Sequence, residues 1–200
     1  MTKIIFATGN QGKVNEIREI LKDLDAEVVT MKEAGYDIEV EENGTTYEEN
    51  AVLKAKAIME ASGCLTLADD SGLEVDYLGK EPGIHSARYM GHDTSYDIKN
   101  QSILDKLAGV PDEERTARFV CAIAAAFPDG TVETVRATME GQIAKEIAGG
   151  NGFGFDPIFF LPERGLTSAE ISSEEKNAIS HRGKALRLMR DRLVEMGVLK

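Results

Sequence analysis

The sequence contains few cysteines, little basic charge and no long apolar run. The two cysteines, Cys64 and Cys121, lie far apart in apolar surroundings. This predicts buried thiols in a reducing compartment and argues against a disulfide or a cysteine metal site. No apolar stretch is long enough to span a membrane, and the first residues lack the apolar core and cleavage site of a secretion signal. We therefore expect a cytoplasmic protein that does not act at a membrane.

Acidic residues outnumber basic ones by 35 to 23, which gives a formal net charge of −12. Binding to a nucleic-acid polymer depends on neutralising many phosphates with lysine and arginine, so this balance argues against such a partner. A small anionic ligand is still compatible with it, because a few basic residues can cluster locally. The 200 residues contain no repeat, low-complexity tract or linker, and we expect residues 1–200 to form one domain.

An apolar β-type run over residues 65–68 is followed at once by Asp69, Asp70, Ser71 and Gly72. This pattern predicts a buried strand that ends at the carboxylates, at the sheet edge where α/β folds bind ligands. Adjacent residues of an extended chain point to opposite faces, so the two carboxylates should have different surroundings. Such carboxylates suit Mg²⁺, which needs only one or two of them besides substrate phosphates. The alternative is an Asx-type turn in which Gly72 takes a positive φ.

A second candidate site follows the first predicted strand, residues 3–7. The polar loop Thr8–Lys13 leads into a helix whose apolar face carries Val14, Ile17, Leu21 and Leu24. Backbone N–H groups at a helix start attract anions, but the helix dipole disfavours a cation there, so Lys13 requires an anionic partner or solvent. The loop is shorter than a Walker A loop. A plain turn between strand and helix is the alternative.

An acidic segment, residues 37–44, follows a predicted second strand over residues 26–31. Ile38 and Val40 alternate with charged residues in this segment, which predicts an edge strand. Glu41 and Glu42 lie just before the next predicted helix. They are either metal ligands or ordinary surface charge.

Helix signals recur along the chain. Thr46 begins a capping-box pattern that predicts a helix over residues 47–62, and Thr94 begins another. Residues 172–200 are predicted to be helical with one interruption at Ser180, which can cap the final helix. The inward face of that final helix should carry Ala185, Leu188, the stem of Arg192 and Met196.

A β-hairpin and a glycine-rich loop complete the pattern. Residues 117–127 are almost continuously apolar and residues 131–139 alternate, with a Pro-Asp-Gly turn between them. Together with the earlier strand–helix units, this hairpin predicts a mixed sheet. Four glycines and two aromatics, Phe153 and Phe155, share the segment 149–157. Such a loop lets the backbone approach a flat ligand that an aromatic ring covers, or it is a tight turn before the next strand.

These motifs occur in the order found in a known family. The matching segments, spread over the whole chain, are Thr8-Gly-Asn-x-x-Lys13, Asn50-Ala51 with Lys54-Ala55, Ala68-Asp-Asp-Ser-Gly-Leu73, Pro82-Gly83 with Ser86-Ala-Arg88, Gly152-Phe-Gly-Phe-Asp-Pro157 and Ser180-His-Arg182. The chain resembles the inosine/xanthosine triphosphate pyrophosphatase family. The resemblance implies a mixed α/β fold, with an elongated central sheet flanked by helices and two lobes around a central cleft. It also implies a Mg²⁺-dependent homodimer that hydrolyses dITP, ITP and XTP to the monophosphate and pyrophosphate, which removes deaminated purines from the nucleotide pool.

Taken with the chemistry of these residues, the resemblance assigns roles at the phosphate end. Asp70 is the expected catalytic carboxylate, supported by Asp69, because phosphoryl chemistry needs positioned charge. Glu42 is expected to join Asp70 as a ligand of Mg²⁺, with Glu41 as the substitute. The residues expected to hold the triphosphate are Thr8, Gly9, Asn10, Gln11, Gly12, Lys13 and Ser71.

A second group of residues is expected to bind the base. Phe153 should stack on the ring, Asp156 should accept a hydrogen bond from a ring N–H, and Gly154 and Phe155 belong to the same loop. The family often has Tyr at position 155, so this chain keeps the ring without the hydroxyl. Hypoxanthine and xanthine present a 6-oxo acceptor where adenine presents a 6-amino donor, so a pocket lined with donors favours them. The expected donors are Lys176, His181 and Arg182.

Two other functions are compatible with parts of the pattern. A nucleotide-binding regulator without turnover would need the phosphate loop but not the carboxylates Asp69, Asp70 and Glu42. A pyrophosphatase for modified pyrimidine nucleotides on a related fold would not need His181 and Arg182 at the base edge. A panel of nucleotides, with pyrophosphate and orthophosphate measured separately, distinguishes these functions.

Overall fold

The computed structural model describes residues 1–200 and contains one mixed sheet flanked by helices. The strands are β1 (Thr2–Phe6), β2 (Ala26–Thr30), β3 (Thr66–Val75), β4 (Thr116–Ala126), β5 (Val132–Ile143), β6 (Phe159–Leu161) and β7 (Leu166–Thr167). The α-helices are α1 (Gln11–Leu21), α2 (Tyr47–Ser62), α3 (Tyr96–Lys106), α4 (Ser173–Ile179) and α5 (His181–Glu195). None of the helices is both long enough and apolar enough to cross a membrane.

The strands are ordered β2-β1-β3-β4-β5-β6-β7 in the sheet. Strand β1 pairs in parallel with β2 and with β3. By contrast, β6 pairs antiparallel with β5 and with β7. The mixed sheet predicted from the sequence is therefore confirmed.

The first of two compact units consists of Met1–Asp70, Cys121–Ala137 and Arg182–Lys200. Alternate side chains of a strand point to opposite faces of the sheet, and in this unit helices pack on both faces. Ile4 of β1 packs with apolar residues of α1 and α5, whereas the next residue, Ile5, packs with α2. Cys121 lies in the first of these clusters, and burial raises the pKa of its thiol to about 12. The prediction of a buried thiol is confirmed for Cys121, while Cys64 is half-buried.

The second unit consists of Ser71–Val120 and Thr138–His181. Its core is formed by apolar residues of α3 and of the neighbouring strands and turns. Members of this core include Leu73, Ile103, Leu107, Phe119, Ile158 and Phe159. Gly72 lies within β3, and a Cβ at this position would come 2.2 Å from the carbonyl oxygen of Gly83. The close approach of two backbone segments, rather than a turn, therefore requires glycine here.

Strand β3 is longer than the sequence predicts. We expected it to end at Asp69 and Asp70, or to turn at Gly72, but it continues to Val75. Both expectations were wrong. A carboxylate in an apolar run suggests the end of a buried strand, but this holds only if the carboxylate has no partner in the fold. In the folded chain each aspartate is met by basic or amide groups from other elements. Charge inside a strand is tolerated when it is paired.

Two smaller expectations also differ from the structure. Residues 37–44 form no strand, although Ile38 packs against the cluster around Ile5. Their apolar alternation reflects contact with the core on one side, without a neighbouring strand. In α5, Leu188 and Arg192 are exposed, and so is Met196 just after the helix. The buried stripe is instead formed by Ala185, Met189 and Leu193, which are spaced four residues apart.

Candidate active site

The loop after β1 is shaped by the side chain of Asn10, the N-cap of α1. Its Oδ1 accepts hydrogen bonds from the backbone N–H groups of Gly12 at 2.9 Å and Lys13 at 3.3 Å. The Asn10 N–H in turn donates to Thr8 Oγ1 at 3.1 Å. The predicted strand, polar loop and helix are confirmed. Since the Gly12 and Lys13 N–H groups already have an acceptor, the Lys13 side chain is the main charge that this loop offers to a phosphate.

Asp69 supplies the anionic partner that Lys13 requires at the start of a helix. The Lys13 ammonium lies 3.0 and 2.8 Å from the two carboxylate oxygens of Asp69. Arg182 Nε lies 3.4 Å from Asp69 Oδ2, and both side chains are almost fully buried. Burial alone would raise the pKa of Asp69, but the charges of Lys13, Arg182 and Lys54 together hold it well below its usual range. Asp69 therefore stays ionised and cannot serve as a general base near neutral pH.

Asp70 has different surroundings, as expected for the adjacent residue of a strand. Its Oδ2 accepts a hydrogen bond from Asn50 Nδ2 at 3.3 Å, and Lys54 Nζ lies 3.9 Å from its Oδ1. Burial raises the pKa of Asp70 to about 6; the charge of Glu42 adds to this and the charge of Lys54 opposes it. Two carboxylates whose pKa values are pushed apart are typical of a catalytic site in which each has its own role.

The two aspartates face different helices. Asp69 contacts Lys13 of α1 and Arg182 of α5, whereas Asp70 contacts Asn50 of α2. The predicted opposite orientation of the two side chains is therefore confirmed. One strand thus presents a clamped carboxylate on one face and a titrating carboxylate on the other.

Glu42, and not Glu41, reaches this group of side chains. Glu42 Oε1 lies 3.0 Å from Lys54 Nζ, while Glu41 is exposed. A cavity of about 330 Å³ adjoins the group. Its polar lining comes from Thr8, Lys13, Glu39, Glu42, Lys54 and Asp69.

The residues present fit a magnesium ion that is shared with a substrate. No group of three or more His, Cys, Asp or Glu side chains is close enough to hold a metal by itself. The carboxylates of Glu42 and Asp70, however, both face the ammonium group of Lys54, at 3.0 and 3.9 Å. Their oxygens therefore already converge on one positive charge. Two hard carboxylate donors are what Mg²⁺ requires when phosphates complete its shell.

In the second unit, the glycine-rich loop is organised around Asp156. Its Oδ2 accepts from the Phe153 N–H at 2.9 Å and from the Lys176 ammonium, and its Oδ1 accepts from Ser168 Oγ at 2.7 Å. A Cβ at Gly152 would lie 2.2 Å from Asp156 Oδ2, and this glycine has a φ of +73°. Asp156 thus holds the loop together, and its contact with a ring N–H stays a prediction.

The two phenylalanines of this loop have different environments. Phe153 is 49% exposed and the Lys176 ammonium lies 4.9 Å from its ring centroid. Phe155 is only 4% exposed and packs edge-on against Tyr96. The structure therefore places the Phe155 ring in the core, where it supports the loop, and leaves Phe153 as the ring that a base can stack on. Both Tyr96, the ring partner of Phe155, and Asn100, which donates to the Gly154 carbonyl at 3.1 Å, belong to α3.

His181 and Arg182 are adjacent in sequence but have different partners. The His181 ring stacks on Phe119, with centroids 4.9 Å apart and an interplanar angle of 19°. The Arg182 guanidinium instead lies against Asp69, with Glu16 at 3.5 Å. The sequence grouped both with Lys176 at the base, whereas the structure puts Arg182 beside the Lys13–Asp69 pair. The predicted roles of His181, Arg182 and Ser71 in substrate binding are untested by these contacts.

Sequence reasoning assigned no role to Asn50 or Lys54, although both belong to the motifs that carry the family resemblance. They lie four residues apart on α2 and therefore on one face of that helix. Each contacts Asp70, from 20 and 16 positions away along the chain. That i, i+4 spacing of an amide and a lysine inside an apolar helix face is the signal that could have indicated them.

Comparison with known proteins agrees with this fold. The protein-family model described as the Ham1 family matches residues 4–192. A dITP/XTP pyrophosphatase from Clostridium perfringens is 46% identical, over 100% of both chains. One from Bacillus subtilis is also 46% identical, over 94% of both chains. The solved structure of the Staphylococcus aureus Ham1 protein matches with a TM-score of 0.89 and 42% identity, covering 98% of this chain and 100% of that chain.

These matches span nearly the whole sequence at well above the identity at which a shared fold is secure. The mixed α/β sheet is therefore the fold of a known class of protein. The chain belongs to the Ham1 family.

Proposed function

We propose that this chain hydrolyses non-standard purine nucleoside triphosphates, namely dITP, ITP and XTP, to the monophosphate and pyrophosphate. The observation that carries this is the pair of adjacent carboxylates in β3, of which Asp69 is held ionised by two cations and Asp70 has a pKa near that of a general base. Relatives named dITP/XTP pyrophosphatase, which this chain matches over 92–100% of its length, support the same activity. A nucleotide-binding regulator would have no use for this pair of carboxylates.

Asp70 accepts the proton of the attacking water. In the metal-free chain its pKa of about 6 leaves it mostly ionised at pH 7 to 8, the charge state that a base requires. The bond between the α- and β-phosphates breaks as water adds, and pyrophosphate leaves. Lys13 provides positive charge to the phosphates from the edge of the 330 Å³ cavity.

In this proposal Mg²⁺ would be held by Glu42 and by one carboxylate oxygen of Asp70, and the other oxygen of Asp70 would accept the proton from water. When bound, the ion neutralises phosphate oxygens and stabilises the charge that develops on them. Lys54 now occupies the space between these carboxylates, at 3.0 Å from Glu42 Oε1 and 3.9 Å from Asp70 Oδ1. With Mg²⁺ held by these carboxylates, the Lys54 ammonium would be available to a phosphate oxygen.

Base recognition is proposed to occur on the second unit. Phe153 has the exposed ring on which a purine can stack, and the Lys176 ammonium and the His181 ring are the donors for a 6-oxo group. The proposal includes a homodimer, as the family resemblance implies. It also includes a cytoplasmic location, in keeping with two free cysteines, of which Cys121 is buried.

A nucleotide panel tests the proposed function. Purified protein is incubated with Mg²⁺ and each of ITP, dITP, XTP, ATP, GTP, CTP and UTP, and pyrophosphate and orthophosphate are measured separately. We expect one pyrophosphate per turnover from ITP, dITP and XTP, with much lower kcat/KM for the common nucleotides. Release of orthophosphate, or equal activity on all seven, would contradict the proposal.

Replacing Lys13 by Ala should raise KM for every triphosphate alike, by roughly 10- to 100-fold, the typical loss of a hydrogen bond to a charged group. Selectivity between ITP and ATP should not change, because a phosphate contact carries no information about the base. Steady-state kinetics on both nucleotides measure this. Lys22→Ala is the matched control, since Lys22 is an exposed lysine that follows the same helix and pairs with Glu19. A changed base preference with an unchanged KM would remove Lys13 from the phosphate site.

A further inference from the structure

Asn50 connects the two carboxylates that flank Lys54. It is fully buried on α2, and both ends of its side-chain amide are hydrogen bonded. Its Oδ1 accepts from the backbone N–H of Gly44 at 2.8 Å, and its Nδ2 donates to Asp70 Oδ2 at 3.3 Å. A buried amide with partners on both ends has one orientation.

The chemistry of the two partners fixes this orientation of the amide. The Gly44 N–H can only donate, so the atom of Asn50 that faces it must be the carbonyl oxygen. The NH₂ group must then face Asp70, where it meets an acceptor. The reverse orientation would set a donor against the Gly44 N–H and an acceptor against a carboxylate.

Gly44 lies two residues after Glu42, in the segment 37–44 that has no regular secondary structure. Without strand pairing, the position of this segment depends on side-chain contacts such as the one from Asn50. The fit is close, because a Cβ on Gly44 would lie 2.7 Å from Asn50 Oδ1 and 2.7 Å from the Cβ of Glu49. One side chain therefore ties the segment that carries Glu42 to the strand that carries Asp70.

We propose that Asn50 is a positioning residue that fixes the spacing between Glu42 and Asp70 and so sets their affinity for a divalent cation. This inference deepens the proposed function, since it relies on these two carboxylates being the metal ligands. Asn50 itself touches neither the metal nor the substrate. Its effect is on how well two separate parts of the chain present their oxygens at one point.

The test uses Asn50→Leu, which keeps the branched shape and the number of heavy atoms of asparagine, with larger methyl ends, but has neither a donor nor an acceptor. Gly44→Ala perturbs the same contact from the other side, because the added Cβ would crowd Asn50 Oδ1, and its φ is not in the left-handed region. Glu60→Gln is the control, because Glu60 is an exposed residue farther along the same helix. Circular dichroism and thermal melting establish that each variant is folded.

Two readouts are compared. The first is Mn²⁺ affinity of the nucleotide-free protein, measured by electron paramagnetic resonance of free Mn²⁺. The second is the Mg²⁺ concentration for half-maximal activity at saturating ITP, set against KM for ITP at saturating Mg²⁺. We expect Asn50→Leu and Gly44→Ala to weaken Mn²⁺ binding and to raise the half-maximal Mg²⁺ concentration about 10-fold or more, with KM for ITP changed less than about 3-fold. Glu60→Gln should behave as the unaltered protein.

The outcomes distinguish a failure of the positioning role of Asn50 from a failure of the proposed metal site. If Asn50→Leu binds Mn²⁺ as tightly as the unaltered protein, then Asn50 only fills space and the positioning inference is wrong. If instead the unaltered protein and a Glu42→Gln variant bind Mn²⁺ equally, then Glu42 is no metal ligand and that part of the proposed function fails first. A parallel rise in KM for ITP at saturating Mg²⁺ would also overturn the inference, because it would show general damage to the site.

Discussion

Asp70→Asn is expected to lower kcat for ITP about 10²-fold or more, the typical size of a general-base contribution, while the protein stays folded. Asparagine has nearly the same shape but cannot accept the proton of the attacking water, and it is a weaker metal ligand than a carboxylate. Kinetics with ITP at saturating Mg²⁺ measure the loss. Turnover close to that of the unaltered protein in a folded Asp70→Asn variant would show that the catalytic carboxylate lies elsewhere.

The same substitution should stabilise the metal-free protein at neutral pH. The folded-state pKa of Asp70 is raised from 3.8 to about 6. Its favourable contribution to the free energy of unfolding is therefore fully present below pH 4 and is lost as the pH rises through 6. Above that pH the buried charge costs about 3 kcal/mol, at 1.4 kcal/mol for each of the two pKa units. Asp70→Asn removes this cost, so its Tm at pH 8 in EDTA should exceed that of the unaltered protein.

Asp69→Asn is the matched comparison and should do the opposite. The pKa of Asp69 is lowered in the folded state, so its contribution is present above pH 4 and is lost as the pH falls below it. Breaking a buried pair with Lys13 and Arg182 typically costs 3 to 5 kcal/mol, and we expect roughly that loss at pH 8. If both variants shifted Tm in the same direction, the two carboxylates would not differ in charge state as described.

His181→Phe should reduce kcat/KM for ITP by about 10² or more and leave the value for ATP almost unchanged. Phenylalanine can keep the stacking on Phe119, 4.9 Å away, but offers no N–H to a 6-oxo group. A site that hydrogen-bonds a substrate group can discriminate by about 10⁴ against the analogue that lacks this group. A single donor accounts for part of that factor. The ratio of the two specificity constants is the measurement, and exposed His92→Phe is the control.

Arg182→Ala provides the contrast. Its guanidinium lies 3.4 Å from Asp69, the partner of the phosphate-binding candidate Lys13, so we expect equal losses with ITP and ATP. A larger loss with ITP would return Arg182 to the base, as the sequence pattern suggested. Equal losses for His181→Phe would place base recognition on other residues, with Lys176 as the next candidate.

Local patterns predicted the secondary structure well, because strands and helices depend on periodicity within a few residues. The first strand, the capped helix α2 and the break at Ser180 all lie where the sequence indicated them. The end of β3 was missed for a physical reason. Asp69 is neutralised by Lys13 and Arg182, which are 56 and 113 positions away, and no local pattern reveals such partners.

The candidate site shows the same limit. Residue types at Glu42, Asp70 and Lys13 indicated phosphate and metal chemistry, but not which carboxylate is clamped and which titrates. That difference arises from what α1, α2 and α5 bring to each face of one strand. Likewise, the family resemblance gave Phe153 the stacking role, but the physical reason that Phe155 does not share it is its packing against Tyr96, which the sequence does not show.

The placement of the two aspartates inside a continuous strand makes catalysis sensitive to strand register. Deleting one residue from 66–68 would leave the composition of β3 almost intact but would exchange the faces of everything that follows. Asp70 would then meet Lys13, and Ser71 would meet Asn50. Single-residue insertions and deletions here should therefore be far more harmful than substitutions, because the parity of the residue number, more than the identity of any neighbour, decides which aspartate is the base.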